Sequence, residues 1–156
     1  MSLFARLSAF VVMLIGIPVT VAFAHHGFTG EYDVTRPVWL QGVVKTATFQ
    51  YPHAIVELDV QAGEGRPERP ADTGFLTVTP VNDPGYAGKT VRLEFPPIAR
   101  FNSLEGQLNA GDNVSVIVYR NCEAPNQLRV QWIRLGDSTE VARSGRVQTE
   151  VQGCDH

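Results

Sequence analysis

The chain has 156 residues, with 13 basic side chains against 16 acidic ones and a net charge of −3. That length suits one domain with a modest core. The mildly acidic balance excludes a nucleic-acid binder that relies on basic surface.

The chain opens with one basic residue, Arg6, followed by an uncharged apolar run from Leu7 to Ala24. Pro18 interrupts this run and Ala22-Phe23-Ala24 closes it. A basic start, an apolar middle and small residues at the −3 and −1 positions predict a signal peptide over residues 1–24. An uncleaved membrane anchor is the competing reading, because the run is almost long enough to span. Pro18 argues against it by breaking the helix where a cleavage segment is extended. No cysteine follows as a lipid attachment point. The expectation is a periplasmic or secreted protein with no stable membrane insertion after cleavage.

Residues 25–135 are expected to form a single domain. Val38–Phe49 reads as a long first strand, with Gly42 as a bend or bulge. "HAIVELDVQ" reads as the second. Ala54, Val56, Leu58 and Val60 take the core face, while His53, Ile55, Glu57 and Asp59 take the other. After the polar loop "GEGRPERPADTG", "FLTVTPV" and "TVRLEF" read as further strands around a turn-rich "NDPGYAG", with Val91, Leu93 and Phe95 on one face. A short helix is expected around Ala99–Leu104. "DNVSVIVYR" and "QLRVQWIRL" follow as strands, with Val114, Val116 and Val118 aligned in the first and Leu128, Val130 and Trp132 in the second.

From Gly136 to the end the chain reads as a polar tail, with Val147, Thr149 and Val151 as a possible edge strand. Cys122 and Cys154 are expected to form a disulfide that ties this tail down. A thiolate metal site helped by Asp155 and His156 is the alternative. Five main strands with a helix before the fourth predict an all-β, OB-like Greek-key barrel; a β-sandwich is the runner-up. Trp39 and Trp132 are expected in the core or at the barrel rim.

Metal chemistry centres on "VAFAHHGF", Val21 to Phe28. Cleavage after Ala24 turns His25 into a free α-amine carrying an imidazole, and an α-amine of pKa near 8 yields its proton to a metal at neutral pH. His26 adds a second ring, and the amide between them is a further donor. Nitrogen donors in a near-planar set favour Cu(II), ahead of Ni(II) or Zn(II). Cleavage after Ala22 instead places a histidine third, which also wraps a square-planar ion. His53 is a candidate third imidazole, with Glu57 and Asp59 on its strand face as possible outer partners. The plainer readings are two solvated histidines near a new terminus, a His53 that only shapes the start of its strand, and a solvated carboxylate face. No phosphate loop, nucleophile elbow or His-Glu-x-x-His pattern is present, and no catalytic residue is assigned.

"AHHGF" with a following "YD", then "VWLQGVV", "YPHAIVELDV" and "LNAGDNVSV", resembles a family of secreted bacterial proteins of unknown function. That family shows His-His-Ser-Phe after the signal peptide, Asn-Pro-His opening a strand, and Leu-x-x-Gly-Asp before a valine-rich strand. The resemblance covers His25 to Leu135 and implies one secreted β-domain with His25, His26 and His53 as motif histidines. Gly27 replaces the usual serine and Tyr51 the usual asparagine. The family supplies no activity.

Three functions follow as expectations. The first is a periplasmic or secreted copper-binding protein for sequestration or delivery, holding the ion through His25, His26 and His53. The second is a non-enzymatic module that binds an envelope protein or small molecule without metal. The third is a copper oxidase or monooxygenase built on the terminal histidine.

Overall fold

The computed structural model describes residues 31–50, 52–62, 78–144 and 150–154, together with Pro70, Gly74 and Leu76. The apolar leader, His25, His26, Tyr51, Val147, Thr149, Asp155 and His156 lie outside them. Among the described residues the chain is all-β, with eight strands, a single short α-helix and one 3-10 turn. The strands are β1 (Tyr32–Phe49), β2 (Ala54–Val60), β3 (Val81–Asn82), β4 (Thr90–Phe95), β5 (Asn113–Asn121), β6 (Leu128–Arg134), β7 (Glu140–Ala142) and β8 (Glu150–Val151). The helix, α1, is Ala99–Asn102 and precedes β5.

Strand pairing runs β2-β4-β6-β5-β1, and a further pairing of β1 with β2 closes the ring. All of these ladders are antiparallel except β4–β6, which is parallel. Five strands in this order, with a helix before the fourth of them, are the pattern of an OB-like Greek-key barrel. β1 makes closure possible by pairing with β5 through its first part, Tyr32 to Val43, and with β2 through its second, Gly42 to Phe49. Gly42 lies where the two ladders overlap, opposite both Val60 and Val114. A Cβ there would collide with the carbonyl of Asp59 and crowd Leu58, so the glycine permits a close backbone approach. The irregularity in the β1–β2 ladder lies between Val44 and Thr46, a few residues beyond the glycine, and a second, in the β1–β5 ladder, lies between Asp33 and Val38.

The interior is filled by the expected alternating faces. Val56, Leu58, Leu93, Phe95, Val116, Val118, Leu128 and Val130 are wholly or almost wholly buried in one cluster with Phe101, Leu104 and Leu108. Phe101 on α1 meets Phe95 edge-on, with ring centroids 5.3 Å apart.

Trp132 departs from its expected place. Gln131 is an extra residue in β6, because Ile117 pairs with Trp132 and Val118 with Val130. This bulge reverses the side-chain alternation. Ile133 therefore joins the main core, and Trp132 turns to the opposite face. There it completes a row across four strands, Trp39–Ile117–Trp132–Ala142. These residues form a second buried apolar cluster, with Leu76 packed against it.

Among its described residues the "FLTVTPV" stretch pairs over less than the strand expected of it. Residues 78–80 are outside any strand, and only Val81–Asn82 pair, in parallel with Val38–Trp39. Pro80 offers no N–H to a ladder, which accounts for the late start. The segment after Leu135, expected as a polar tail, returns to the sheet twice. β7 pairs with β6, and β8 pairs in parallel with Tyr32–Asp33. Arg143 is buried, and its backbone N–H donates to the Gln131 carbonyl at 2.8 Å. The Cys122–Cys154 disulfide is formed and fastens this segment beside the start of β1. The Cys122 N–H donates to the Glu31 carbonyl at the same place.

Candidate functional site

His53 immediately precedes β2 and is half-buried. Pro52 before it restricts the backbone at the start of the strand. With His53, Thr48, Gln50, Ile55, Arg92 and Glu94 line a cavity of about 310 Å³. Register explains the grouping. Thr48 pairs with Ile55, Ile55 with Glu94, and Glu94 with Arg129, so one row crosses β1, β2, β4 and β6. His53 lies two residues before Ile55, which makes it a diagonal neighbour of Glu94, within reach of a long side chain.

Glu94 is 7% exposed and its carboxylate is held on both sides. Its Oε2 accepts from Gln127 Nε2 at 2.9 Å, and its Oε1 lies 3.6 Å from Arg92 Nη2. Gln127 Oε1 in turn accepts from Asn121 Nδ2 at 2.7 Å. Asn121 Oδ1 accepts the backbone N–H groups of Glu123 and Ala124, at 2.9 and 3.2 Å. The β5–β6 turn therefore fixes the orientation of Glu94 through two amide side chains.

The start of β1 belongs to the same rim. The guanidinium carbon of Arg129 lies 4.0 Å from the centre of the Tyr32 ring and 6.0 Å from that of Tyr119. Tyr32 is fully buried. Burial pushes its phenol up to about 12, against the opposing influence of the Asn121 side chain and the charge of Arg129; the charge of Glu94 adds to the rise.

Sequence reasoning points to Glu57 and Asp59 as outer partners of His53. The structure engages them elsewhere. Glu57 Oε2 accepts from Thr46 Oγ1 at 3.2 Å, and Asp59 Oδ1 accepts from Thr90 Oγ1. Strand rise sets them about 13 and 20 Å along the chain from His53. The carboxylate that shares the His53 cavity is Glu94, which sequence reasoning misses. It lies within "TVRLEF", where alternation marks it only as a residue facing away from the core. His25 and His26 lie outside the described residues, and no cluster of three or more His, Cys, Asp or Glu side chains occurs among the described residues.

A larger cavity, about 540 Å³, lies away from His53. Trp39, Gln41, Val60, Asn82, Asp83 and Pro84 are among the residues that line it. The indole Nε1 of Trp39 is buried without a hydrogen-bond acceptor among the described residues.

Residues 14–72 match the model of a family of unknown function (DUF6152). This stretch contains His25, His26 and His53 but ends before β3. No curated protein matches the chain. Among solved structures, the chain is similar to TiaS in a complex with an isoleucine tRNA, AMPCPP and agmatine, at 13% identity and a TM-score of 0.39, covering 69% of this chain and 20% of that one. It is also similar to a ZRD-deleted mutant of TiaS in complex with agmatine, at 17% identity and a TM-score of 0.39, covering 72% of this chain and 24% of that one. Among the described residues no helix is long and apolar enough to cross a membrane.

Proposed function

We propose that residues 25–156 form a secreted or periplasmic metal-binding domain that holds Cu(II) for sequestration or delivery. The ligands are the α-amine and ring of His25, the ring of His26, and the ring of His53. One observation carries this reading: the start of β1 and His53 share a rim, joined through Tyr32, Arg129 and Glu94. Tyr32 follows His26 by six residues, and an extended chain of that length spans about 20 Å. Around the ring β5, β6 and β4 stand between the start of β1 and β2, at about 5 Å for each strand step, so that reach matches the span a terminus turned back toward β2 must cover. The disulfide at the same rim suits an oxidising compartment.

The test is a Cu(II) titration of the processed protein, followed by calorimetry and electron paramagnetic resonance. One equivalent is expected to bind with a nitrogen-rich tetragonal spectrum, and His53→Ala is expected to weaken binding and change the spectrum. Absence of binding in the wild type, or undiminished binding after His26→Ala and His53→Ala together, overturns the reading.

A second reading is a metal-free module that binds an envelope component or small molecule. The larger cavity beside Trp39 favours it. It predicts a melting temperature indifferent to copper and to chelator, and tryptophan emission that responds to a ligand but not to copper.

A further inference from the structure

We propose that the cavity beside Trp39 binds a small organic cation, an amine with an apolar body, and that the Asp83 carboxylate receives its charge. This rests on the second, metal-free reading above and names the ligand chemistry that reading leaves open.

The cavity exists because β1 changes partners. β5 holds one edge of β1 from Val38 to Val43. Along the other edge β3 pairs with Val38 and Trp39, and β2 pairs from Gly42 onward. Leu40 and Gln41 fall between the two partners, and both line the space of about 540 Å³. One wall is Val60 to Ala62, at the end of β2, and the other is Asn82 to Pro84. Backbone hydrogen bonds stitch the end of β2 to the chain just beyond the 3-10 turn. The Val60 N–H donates to the Lys89 carbonyl at 2.9 Å, and the Gly88 N–H donates to the Val60 carbonyl at 3.0 Å. The volume falls among those of small-molecule sites, about 300–1,000 Å³.

The lining selects the ligand. Trp39, Leu40 and Val60 are buried apolar residues on its inner side. Asp83 is the only ionisable side chain among the described lining residues. Its Oδ1 accepts from the Gly85 N–H at 2.9 Å and so caps the 3-10 turn Pro84–Tyr86. Its Oδ2 has no hydrogen-bond or ion-pair partner among the described residues. The carboxylate is therefore held by its own backbone while one oxygen stays available. An anionic ligand would meet a like charge here, whereas a protonated amine gains a charge-assisted hydrogen bond.

The experiment is a titration of the protein and of Asp83→Asn with three probes of similar shape: phenethylamine, phenethyl alcohol and hydrocinnamate. At neutral pH the first is a cation, the second is neutral and the third is an anion. Backbone and indole N–H resonances report binding by nuclear magnetic resonance. Phenethylamine is expected to shift the resonances of Gln41, Gln61, Asn82 and Trp39, and to bind severalfold more tightly than the alcohol. Hydrocinnamate is expected to bind most weakly. Asp83→Asn keeps a capping oxygen for Gly85 and is expected to lower the amine's affinity to that of the alcohol. Equal affinity for amine and alcohol, or undiminished amine affinity in Asp83→Asn, overturns the cation assignment and leaves the small-molecule reading standing. Where Asp83→Asn fails to fold, any order of the three probes in the wild type that does not place the amine first overturns it. Shifts at none of these residues with any probe remove both the assignment and the small-molecule reading of this cavity.

Discussion

Arg129 lies over the ring of Tyr32, its guanidinium carbon 4.0 Å from the ring centre, with both side chains withdrawn from solvent. This contact joins β6 to the start of β1 and sits beside Glu94, so it ties the barrel rim to the segment leading from the amino terminus. A cation over a desolvated aromatic face stabilises by about 2 kcal/mol. Arg129→Met is expected to lower stability by about that amount in urea denaturation. Tyr32→Phe keeps the ring face and removes only the phenol oxygen, so its expected cost is smaller, about 1 kcal/mol. Equal losses in the two variants would show that the ring contact is not the principal contribution.

The phenol of Tyr32 is pushed up to about 12 because burial disfavours the phenolate. Its folded value lies above the unfolded value of 10.0, so the unfolded chain gives up its proton first. The stability contributed by this group is therefore full below pH 10 and declines as pH rises toward 12. Ultraviolet titration of tyrosinate should show a late-ionising tyrosine that is absent from Tyr32→Phe, and that variant should lose less stability across the same interval.

Gly42 marks the close approach of β1 to the backbone of Asp59. Gly42→Ala is expected to destabilise by about 1–3 kcal/mol, because the crowding atoms are backbone and cannot turn aside. A chemical-denaturation midpoint unchanged from wild type would contradict this account of how β1 meets β2.

Trp39 fills the second apolar cluster but leaves its indole N–H without an acceptor among the described residues. Trp39→Phe removes the polar atom and keeps an aromatic ring, so its expected effect is within about 1 kcal/mol. Trp39→Ala should cost about 3–5 kcal/mol by opening a cavity beside Ile117 and Trp132. Comparable losses in both would mean that the N–H itself matters.

The disulfide holds β8 beside the first residues of β1. For a loop of 32 residues in sequence separation the chain-entropy model gives about 3–4 kcal/mol. The Cys122→Ser, Cys154→Ser double variant is expected to lose stability on that scale. On the copper reading it should also bind the ion more weakly, since the rim next to Glu31 loses its tie.

Alternation of apolar and polar residues is enough to assign the core faces of β2, β4 and β5, because each runs without interruption and its pleat has a period of two. The short helix, the all-β class and the pairing of two cysteines are legible for similarly local reasons. Trp132 escapes such a reading because a bulge at Gln131 leaves no mark in composition, yet moves every later side chain of β6 to the other face. Glu94 escapes it because partners across a ladder are set by register, and register is a property of two strands at once.

By itself the sequence determined the alternating faces, the apolar leader and the histidine motif, all of which depend on near neighbours in the chain. Only the tertiary structure decided that β1 closes the ring, that the C-terminal segment returns to its start, and that His53 shares a cavity with Glu94 and Arg92. These depend on contacts between distant residues, where burial and strand register select among arrangements that local patterning leaves equivalent.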